Sequence, residues 1–128
     1  MHFKGVKMRK FFMPALTLFM LGISMNSNAK TIINYGEMKI TYYCPCEICS
    51  EGYGRLTATK TYAKAGRTIA VDPDIIDLGS IVMIGDKKYK AEDVGGAEKG
   101  DHIDVFVNTH EETMKKGIKY KNVLIIKK

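Results

Sequence analysis

The sequence predicts a small, mainly β domain, a barrel or a sandwich, that follows a removable leader. Three observations predict it. Short runs of β-branched and apolar residues recur between turn residues. Helical periodicity is convincing in one short segment, and about 100 residues follow the leader, which is the size of one ordinary domain. We therefore expect a single domain with one hydrophobic core.

Six runs of β-branched and apolar residues are typical of strands. The turn Gly85-Asp86 joins the third and fourth runs as a hairpin. The fifth run alternates between inward-facing and outward-facing positions, as a half-buried strand does. In chain order the predicted strands cover residues 38–43, 68–71, 81–84, 88–92, 103–107 and 123–126.

One helix is predicted, over residues 109–116. Asn108 or Thr109 can cap its start, because a side-chain oxygen there accepts a hydrogen bond from a backbone N–H of the first turn. Acidic residues occupy its first turn and lysines its last turn, and Gly117 ends it. Six strands and one short helix in so short a chain favour a barrel or a sandwich.

The first 29 residues are typical of a secretory signal peptide. A positively charged stretch (Lys4, Lys7, Arg9 and Lys10) precedes the apolar run 11–23 and the small-residue cleavage site Ser27-Asn28-Ala29. A retained membrane anchor is the alternative, but 13 apolar residues fall short of the roughly 20 that cross a bilayer core. We therefore expect a signal peptide at 1–29, a domain at 30–128, and a protein that is secreted or held in the cell wall or envelope.

The net charge of the predicted mature domain is close to zero. The whole chain carries +6, but all 14 acidic residues and all but four of the 20 basic residues follow position 29, which leaves +2. This balance argues against a strongly basic nucleic-acid-binding domain. We expect a monomer that uses no cofactor and binds neither nucleic acid nor, once the leader is removed, a membrane.

Three cysteines fall within six residues, at Cys44, Cys46 and Cys49. A disulfide between Cys44 and Cys46 is strained at such a short separation, whereas the spacing of Cys46 and Cys49 occurs in redox pairs and in zinc knuckles. A loop disulfide with one spare thiol, a metal site and a redox pair all remain open. A zinc site needs a fourth ligand, for which His102 and His110 are the candidates.

Three aspartates lie at or near the ends of predicted strands, where a fixed side chain can face solvent. Asp72 precedes a proline and Asp93 precedes a Val-Gly-Gly turn, so each alone is an ordinary turn former. Asp104 differs, because apolar residues flank it inside a β-type run, where aspartate has a poor propensity. The paired glycines Gly95 and Gly96 permit the close approach of a sugar or a neighbouring strand.

Several ordered motifs surround these aspartates. They are Thr68-Ile-Ala-Val-Asp72-Pro, Leu78-Gly79-Ser80, Ala91-Glu-Asp93-Val-Gly-Gly-Ala97, Lys99-Gly100 and Ile103-Asp104-Val105, preceded by Thr41-Tyr-Tyr-Cys44-Pro-Cys46 and Thr57-Ala58-Thr59. Together they resemble the 3D domain, a family named for its three aspartates. The resemblance implies a mainly β fold, a small six-stranded double-psi β-barrel with one or two short helices, as in membrane-bound lytic transglycosylase A, stationary-phase survival proteins of spore formers, rare lipoprotein A and expansins.

The resemblance also implies a function, which fold likeness alone does not give. It implies a peptidoglycan lytic transglycosylase that cleaves the β-1,4 bond between N-acetylmuramic acid and N-acetylglucosamine and forms a 1,6-anhydro ring. One carboxyl group must then serve first as acid and later as base, unlike the two carboxylates of most glycosidases. The alternative is an expansin-like module that binds glycan strands without cutting them.

Particular residues receive roles from the resemblance. Asp104 is expected to be the acid and base, with Asp93 and Asp72 supporting it electrostatically, binding sugar hydroxyls and holding the geometry of the catalytic site. The expected substrate-binding residues are His102, Lys99, Gly95, Gly96 and Thr59, and the expected partner is the peptidoglycan strand.

Overall fold

The computed structural model describes residues 30–95 and 99–127. The predicted signal peptide at 1–29 and its cleavage site lie outside the described residues, so both remain predictions. Within the described ranges, no helix combines the length and the apolar character needed to cross a membrane.

Six strands and two short helices make up the described part of the chain. The strands form one closed barrel in the order β1-β5-β2-β4-β3-β6. The pairs β1/β5 and β2/β4 are parallel, and the other described pairs are antiparallel. In chain order the elements are β1 (Thr31–Tyr43), α1 (Glu47–Ser50), β2 (Thr68–Ala70), β3 (Ile81–Ile84), β4 (Lys87–Asp93), β5 (His102–Phe106), α2 (His110–Lys116) and β6 (Lys119–Lys127).

The predicted fold class, a small six-stranded barrel with one or two short helices, is confirmed. The first and last strands are longer than predicted. They pair antiparallel over most of their length, from Thr31 opposite Lys127 to Ile40 opposite Lys119. The first four residues of each of these strands, 31–34 and 119–122, are exposed. Burial therefore does not impose on them the sustained alternation of apolar and polar residues by which a half-buried strand is recognised.

The main core fills the barrel with inward-facing aliphatic side chains. Every strand contributes, because alternate residues of each strand point inward. Each fully buried side chain of this kind stabilises the fold by about 1.5–3 kcal/mol. The buried residues of this core are Met38, Ile40, Ile69, Val71, Ile76, Val82, Ile84, Ala91, Ile103, Val105, Val123 and Ile125.

A second, smaller core supports the segment between α1 and β2. It contains Tyr43, Ala63, Ala70 and Phe106, and the Tyr43 and Phe106 rings meet edge to face at 5.3 Å. Two of these residues, Tyr43 and Ala70, reach the surface of a groove on this side of the barrel. The small core therefore forms the base of that groove.

A buried acid fixes the same segment to the barrel. Glu92 is 4% exposed and accepts hydrogen bonds from Thr68 Oγ1 at 2.8 Å and Thr61 Oγ1 at 3.3 Å. Arg67 Nε lies 2.8 Å from the same carboxylate and forms an ion pair with it. Burial raises the pKa of Glu92, but the hydrogen bonds from Thr68 and Arg67 outweigh it, so that the pKa lies below its usual value. The network holds the loop next to Asp93.

Candidate functional site

An open groove of about 450 Å³ lies over the small core. One wall comes from strands, through Tyr43, Ala70, Asp93 and Asp104. The other comes from the segment 49–58, which begins with the last two residues of α1. Three acidic residues, Glu51, Asp93 and Asp104, line this groove together with apolar side chains. Such an open groove is suited to an extended polar ligand such as a glycan strand.

The strand order brings Asp93 and Asp104 to this groove. Ala70 of β2 pairs with Asp93 of β4 on one side and with Asp104 of β5 on the other. The two aspartates are thus two strand spacings apart, about 9–10 Å between backbones. Because the residue between them has only a methyl group, the space between the carboxyl groups remains open.

Asp104 belongs to a hydrogen-bonded chain of three side chains. Thr41 Oγ1 donates to Asp104 Oδ1 at 3.0 Å, and the same hydroxyl oxygen lies 2.6 Å from His102 Nε2. A hydroxyl carries one proton, so when it donates to the carboxylate it can only accept from a His102 Nε2–H. When Asp104 is protonated and donates to Thr41, the hydroxyl can instead donate to an unprotonated Nε2. The chain therefore accommodates both protonation states of the carboxyl group.

Asp93 holds the groove together. Its Oδ1 accepts hydrogen bonds from the backbone N–H groups of Ala58, at 3.0 Å, and Val94, at 2.9 Å. Its Oδ2 accepts a hydrogen bond from the hydroxyl of Tyr43 at 3.0 Å. Asp93 thereby ties the loop wall, the β4 end and the C-terminal end of β1 to one another.

Comparison with known proteins finds a family model that matches the C-terminal part of the chain. The family model described as the 3D domain matches residues 67–127, which include all three aspartates. Residues 67–127 are therefore similar to the 3D domain family. The predicted family resemblance is confirmed over this range, whereas the cysteine motif precedes it.

Two proteins of Bacillus subtilis (strain 168) are similar in sequence to parts of this chain. The cell wall-binding protein YocH is 43% identical over 61 residues, which cover 47% of this chain and 21% of YocH. The SPbeta prophage-derived protein YorM is 28% identical over 97 residues, which cover 70% of this chain and 41% of YorM. The chain thus spans less than half the length of these curated relatives.

A solved structure is similar in fold to part of this chain. It is the crystal structure of MltA from Escherichia coli, reported as a unique lytic transglycosylase fold. The TM-score is 0.50 at 24% sequence identity, over 56% of this chain and 27% of the MltA chain. The likeness shows that the barrel architecture is common to both chains.

The third of the predicted catalytic aspartates, Asp72, lies apart from the groove. The Asp72 carboxylate accepts hydrogen bonds from the backbone N–H of Gly100 at 2.9 Å and of Asp74 at 3.0 Å. These two bonds, with the nearby charge of Lys99, lower the pKa of Asp72. Asp72 does not line the groove. The structure brings together two of the three predicted catalytic aspartates, and it gives Asp72 the geometry of a residue that fixes the loop before β5.

The predicted substrate-binding residues do not all lie at the groove. Gly95 lines the groove. His102 does not line it, but it contacts the Thr41 hydroxyl, which donates to Asp104 of the groove. Lys99 is exposed beside Asp72. Thr59 does not line the groove, because its hydroxyl lies 3.1 Å from the hydroxyls of Thr57 and Thr61 and its backbone N–H donates to the Glu92 carbonyl. Gly96 lies outside the described residues.

Sequence reasoning missed the roles of Thr41 and Tyr43. Both contact aspartates of the site, and they are two residues apart on β1, so that their side chains leave the same face of the strand. Thr41 contacts Asp104 because β1 and β5 pair in parallel and set the two residues opposite each other. It joins segments more than 60 residues apart, which no local pattern reveals.

The loop wall also offers exposed apolar surface to a ligand. Tyr53 is 70% exposed and Leu56 is 47% exposed, and both line the groove. Exposed apolar side chains grouped in a groove are typical of a binding surface. A tyrosine ring offers an apolar face with a polar tip, which is suited to a sugar.

The cysteine motif lies beside the groove and could hold a metal ion. The ligand atoms of Cys44, Cys46, Cys49 and His110 all lie within 4.8 Å of one another. Of the two predicted candidates for a fourth ligand, the structure brings His110 to the cysteines, and His102 instead contacts Thr41. Burial raises the pKa of Cys44 to about 12, and the backbone N–H of Cys49 lowers the pKa of Cys46 to about 6.

Proposed function

We propose that the protein is an exported peptidoglycan lytic transglycosylase that acts at the bacterial cell wall. Its reaction cleaves the β-1,4 bond between N-acetylmuramic acid and N-acetylglucosamine and leaves a 1,6-anhydro end. The observation that carries the proposal is the position of Asp104, in an open groove and in a hydrogen-bonded chain with Thr41 and His102.

In the proposed reaction Asp104 acts first as an acid. Its carboxyl proton passes to the glycosidic oxygen while the bond from that oxygen to C1 of the muramic acid breaks. The resulting carboxylate then takes the proton of the 6-hydroxyl of the same sugar, and O6 bonds to C1. The carboxyl group is restored, and no water is consumed. A single acid and base suffices because the nucleophile is part of the substrate.

Thr41 and His102 serve this cycle as positioning residues. The Thr41 hydroxyl can accept from the protonated Asp104 and donate to its carboxylate, with His102 Nε2 as the second partner in each case. Asp104 thus keeps its orientation through both steps. Because the hydrogen bonds exist before the substrate binds, little reorganisation is needed during the reaction.

Asp93 and Asp72 act on the site through its geometry. Asp93 sets the distance between the groove walls through Ala58 and Tyr43, and it directs the Tyr43 hydroxyl toward the groove. Asp72 orders the segment that leads into β5 through Gly100. Loss of either carboxylate is expected to shift Asp104 or its surroundings without removing a proton-transfer group.

The comparisons support peptidoglycan as the substrate. Residues 67–127 match the 3D domain model, and one relative is named as a cell wall-binding protein. A predicted signal peptide is consistent with action outside the cell. Exposed Tyr53 and Leu56 provide a surface on which sugar rings can pack.

A second function, glycan binding without cleavage, is favoured by two observations. The name of YocH describes wall binding only, and both oxygens of Asp93 already accept hydrogen bonds from the protein. In this case Asp104 would bind a sugar hydroxyl rather than transfer a proton.

Incubation of the protein with purified peptidoglycan, followed by mass spectrometry of the soluble products, distinguishes these functions. Muropeptides with 1,6-anhydro ends are expected. Reducing ends in their place would identify a hydrolase. Co-sedimentation with peptidoglycan without soluble products would identify the binding module and would contradict the proposed reaction.

A further inference from the structure

Four side chains that bind metals meet where the end of β1, α1 and the start of α2 come together. Three of them, Cys44, Cys46 and Cys49, come from one short segment. The fourth, His110, is more than 60 residues further along the chain and is the first residue of α2. A local turn can explain clustered cysteines, but it does not explain why a histidine from a distant helix points at them.

The distances suit tetrahedral coordination of one ion. His110 Nδ1 lies 3.4 Å from Cys49 Sγ, 3.7 Å from Cys46 Sγ and 3.9 Å from Cys44 Sγ. Zinc bonds of about 2.3 Å to sulfur and about 2.0–2.1 Å to nitrogen place these atoms about 3.5 Å apart in a tetrahedron. The Cys44 and Cys46 sulfur atoms, at 3.2 Å, need to separate by about half an ångström to reach the corresponding sulfur–sulfur distance.

Hydrogen bonding alone does not satisfy this arrangement. A neutral imidazole nitrogen accepts one hydrogen bond, whereas three thiols surround His110 Nδ1. One disulfide would likewise leave the third sulfur beside the histidine without a role. One cation in the centre would use all four ligand atoms.

We propose that Cys44, Cys46, Cys49 and His110 form a structural zinc site. Three thiolates and one imidazole are a ligand set that zinc prefers, and four protein ligands leave no position for a substrate or a water. The site is therefore closed and serves the fold, and the reaction in the groove does not pass through it. It forms part of the wall of the groove, because Cys49 and Ser50 line that wall.

A zinc ion at this site would connect two helices that bury no residue of their own. Neither α1 nor α2 has a buried residue, and α1 has four residues, which is too short to be stable alone. Cys46 also caps α1, with its sulfur accepting from the Cys49 N–H at 3.4 Å. Zinc would hold α1 against α2 and against the end of β1, and thereby hold the loop wall in position. Tyr43, which immediately precedes Cys44, would keep its contact with Asp93.

Metal analysis of the full-length protein, produced and purified without chelators or reductants, tests this inference. One zinc ion per chain is expected, together with an intact mass that corresponds to three reduced cysteines. Replacement of zinc by cobalt is expected to give the absorption of a tetrahedral thiolate complex. A mass lower by two hydrogens with one titratable thiol would identify a disulfide and overturn the inference, as would stoichiometric iron or three free thiols without metal.

Variants identify the ligands. Loss of a residue that supports a metal ligand without binding the metal weakens metal binding by about 10–100-fold. Cys49→Ser and His110→Ala remove ligands themselves, so they are expected to weaken zinc binding by more than this. His110→Cys is expected to retain zinc, because four thiolates also form a structural site. His102→Ala is the matched histidine control and is expected to bind zinc like the wild type. Equal zinc content in the wild type and His110→Ala would overturn the assignment of His110.

These measurements do not depend on the proposed function. Zinc content, thiol count and cobalt absorption can be measured whether the groove cleaves glycan, binds it or does neither. Failure of the zinc site therefore leaves the role of Asp104 to be tested separately.

Discussion

Asp104 could be identified as a candidate site residue from the sequence alone. An aspartate between two apolar residues of a strand is unusual, and this made it the leading candidate in the sequence. The structure places it in the groove and adds its contact with Thr41. That contact depends on parallel pairing between β1 and β5, so the residue could be predicted from the sequence but its partner could not.

Replacement of Thr41 tests its positioning role. Thr41→Val keeps the shape of the side chain but removes the hydroxyl that contacts Asp104 and His102. We expect kcat on peptidoglycan to fall by about 10–100-fold, because a hydrogen bond to a charged group contributes about 1.5–3 kcal/mol. KM should change little, and the pH dependence of kcat should shift. Thr41→Ser should restore the activity, and equal activity in Thr41→Val would contradict the role.

Glu92 is a structural acid that the sequence did not distinguish from its neighbour Asp93. Glu92→Gln removes the charge that pairs with Arg67 and accepts from Thr68. We expect a loss of about 1–3 kcal/mol in the free energy of unfolding at neutral pH, as measured by urea denaturation. The control is Glu111→Gln, whose ion pair with Lys115 is exposed and should contribute less than about 1 kcal/mol. Equal stability of the two variants would contradict the importance of the Glu92 network.

At the scale of elements, the central parts of the strands were predictable and their exposed ends were not. The predicted run 81–84 coincides with β3, because its apolar residues are confined to the strand. The strand β1 begins seven residues before its predicted start, in a stretch whose first four residues are exposed. The helix α2 begins within one residue of its prediction, because Thr109 caps it by accepting from the Glu112 N–H.

A change of register near Gly36 of β1 provides a test of how the long β1/β6 pair is built. The register shifts between Asn34 and Gly36, and Gly36 has a φ of 98°. A Cβ at Gly36 would meet no atom within 4 Å, so Gly36→Ala should cost conformational energy alone, about 1–2 kcal/mol. Thermal unfolding measures this loss. Glu37→Ala, at the neighbouring exposed position, is the control, and an unchanged melting temperature in Gly36→Ala would contradict the strained bulge.

The fourth ligand of the cysteine cluster illustrates what the sequence leaves open. Both His102 and His110 were candidates, because the choice depends on which histidine the chain carries past the end of β1. His102 lies on β5 and contacts Thr41, whereas His110 starts α2 and reaches the cysteines. Nothing in the residue spacing separates these two outcomes.

At the scale of the whole molecule, the barrel order assembles the groove. Placing β2 between β4 and β5 puts Asp93 and Asp104 on either side of Ala70. The sequence predicted that the aspartates end or interrupt strands, but strand order decides which of them face a common groove. Asp72 follows β2 and instead accepts from Gly100 and Asp74, so it stabilises the loop before β5.

The stability of the molecule is expected to fall in acid through its paired carboxylates. The pKa values of Asp72 and Glu92 are lowered by folding, from about 3.9 and 4.3 in the unfolded chain. Their contribution is therefore complete above those values and is lost as the pH falls through the lower values of the folded state. Urea denaturation should show that the stability advantage of the wild type over Asp72→Asn and over Glu92→Gln shrinks below about pH 4. An advantage that stays constant down to pH 2 would contradict this assignment.

The most direct test of the proposed chemistry compares Asp104→Asn with the wild type on purified peptidoglycan. Anhydro-muropeptides are quantified by mass spectrometry and binding is measured by co-sedimentation. Asp86→Asn is the matched control, because Asp86 lies in the exposed turn between β3 and β4 and does not line the groove. We expect Asp104→Asn to bind peptidoglycan but release at least about 100-fold less anhydro product, and Asp86→Asn to match the wild type. Undiminished anhydro product from Asp104→Asn would contradict its role as the acid and base.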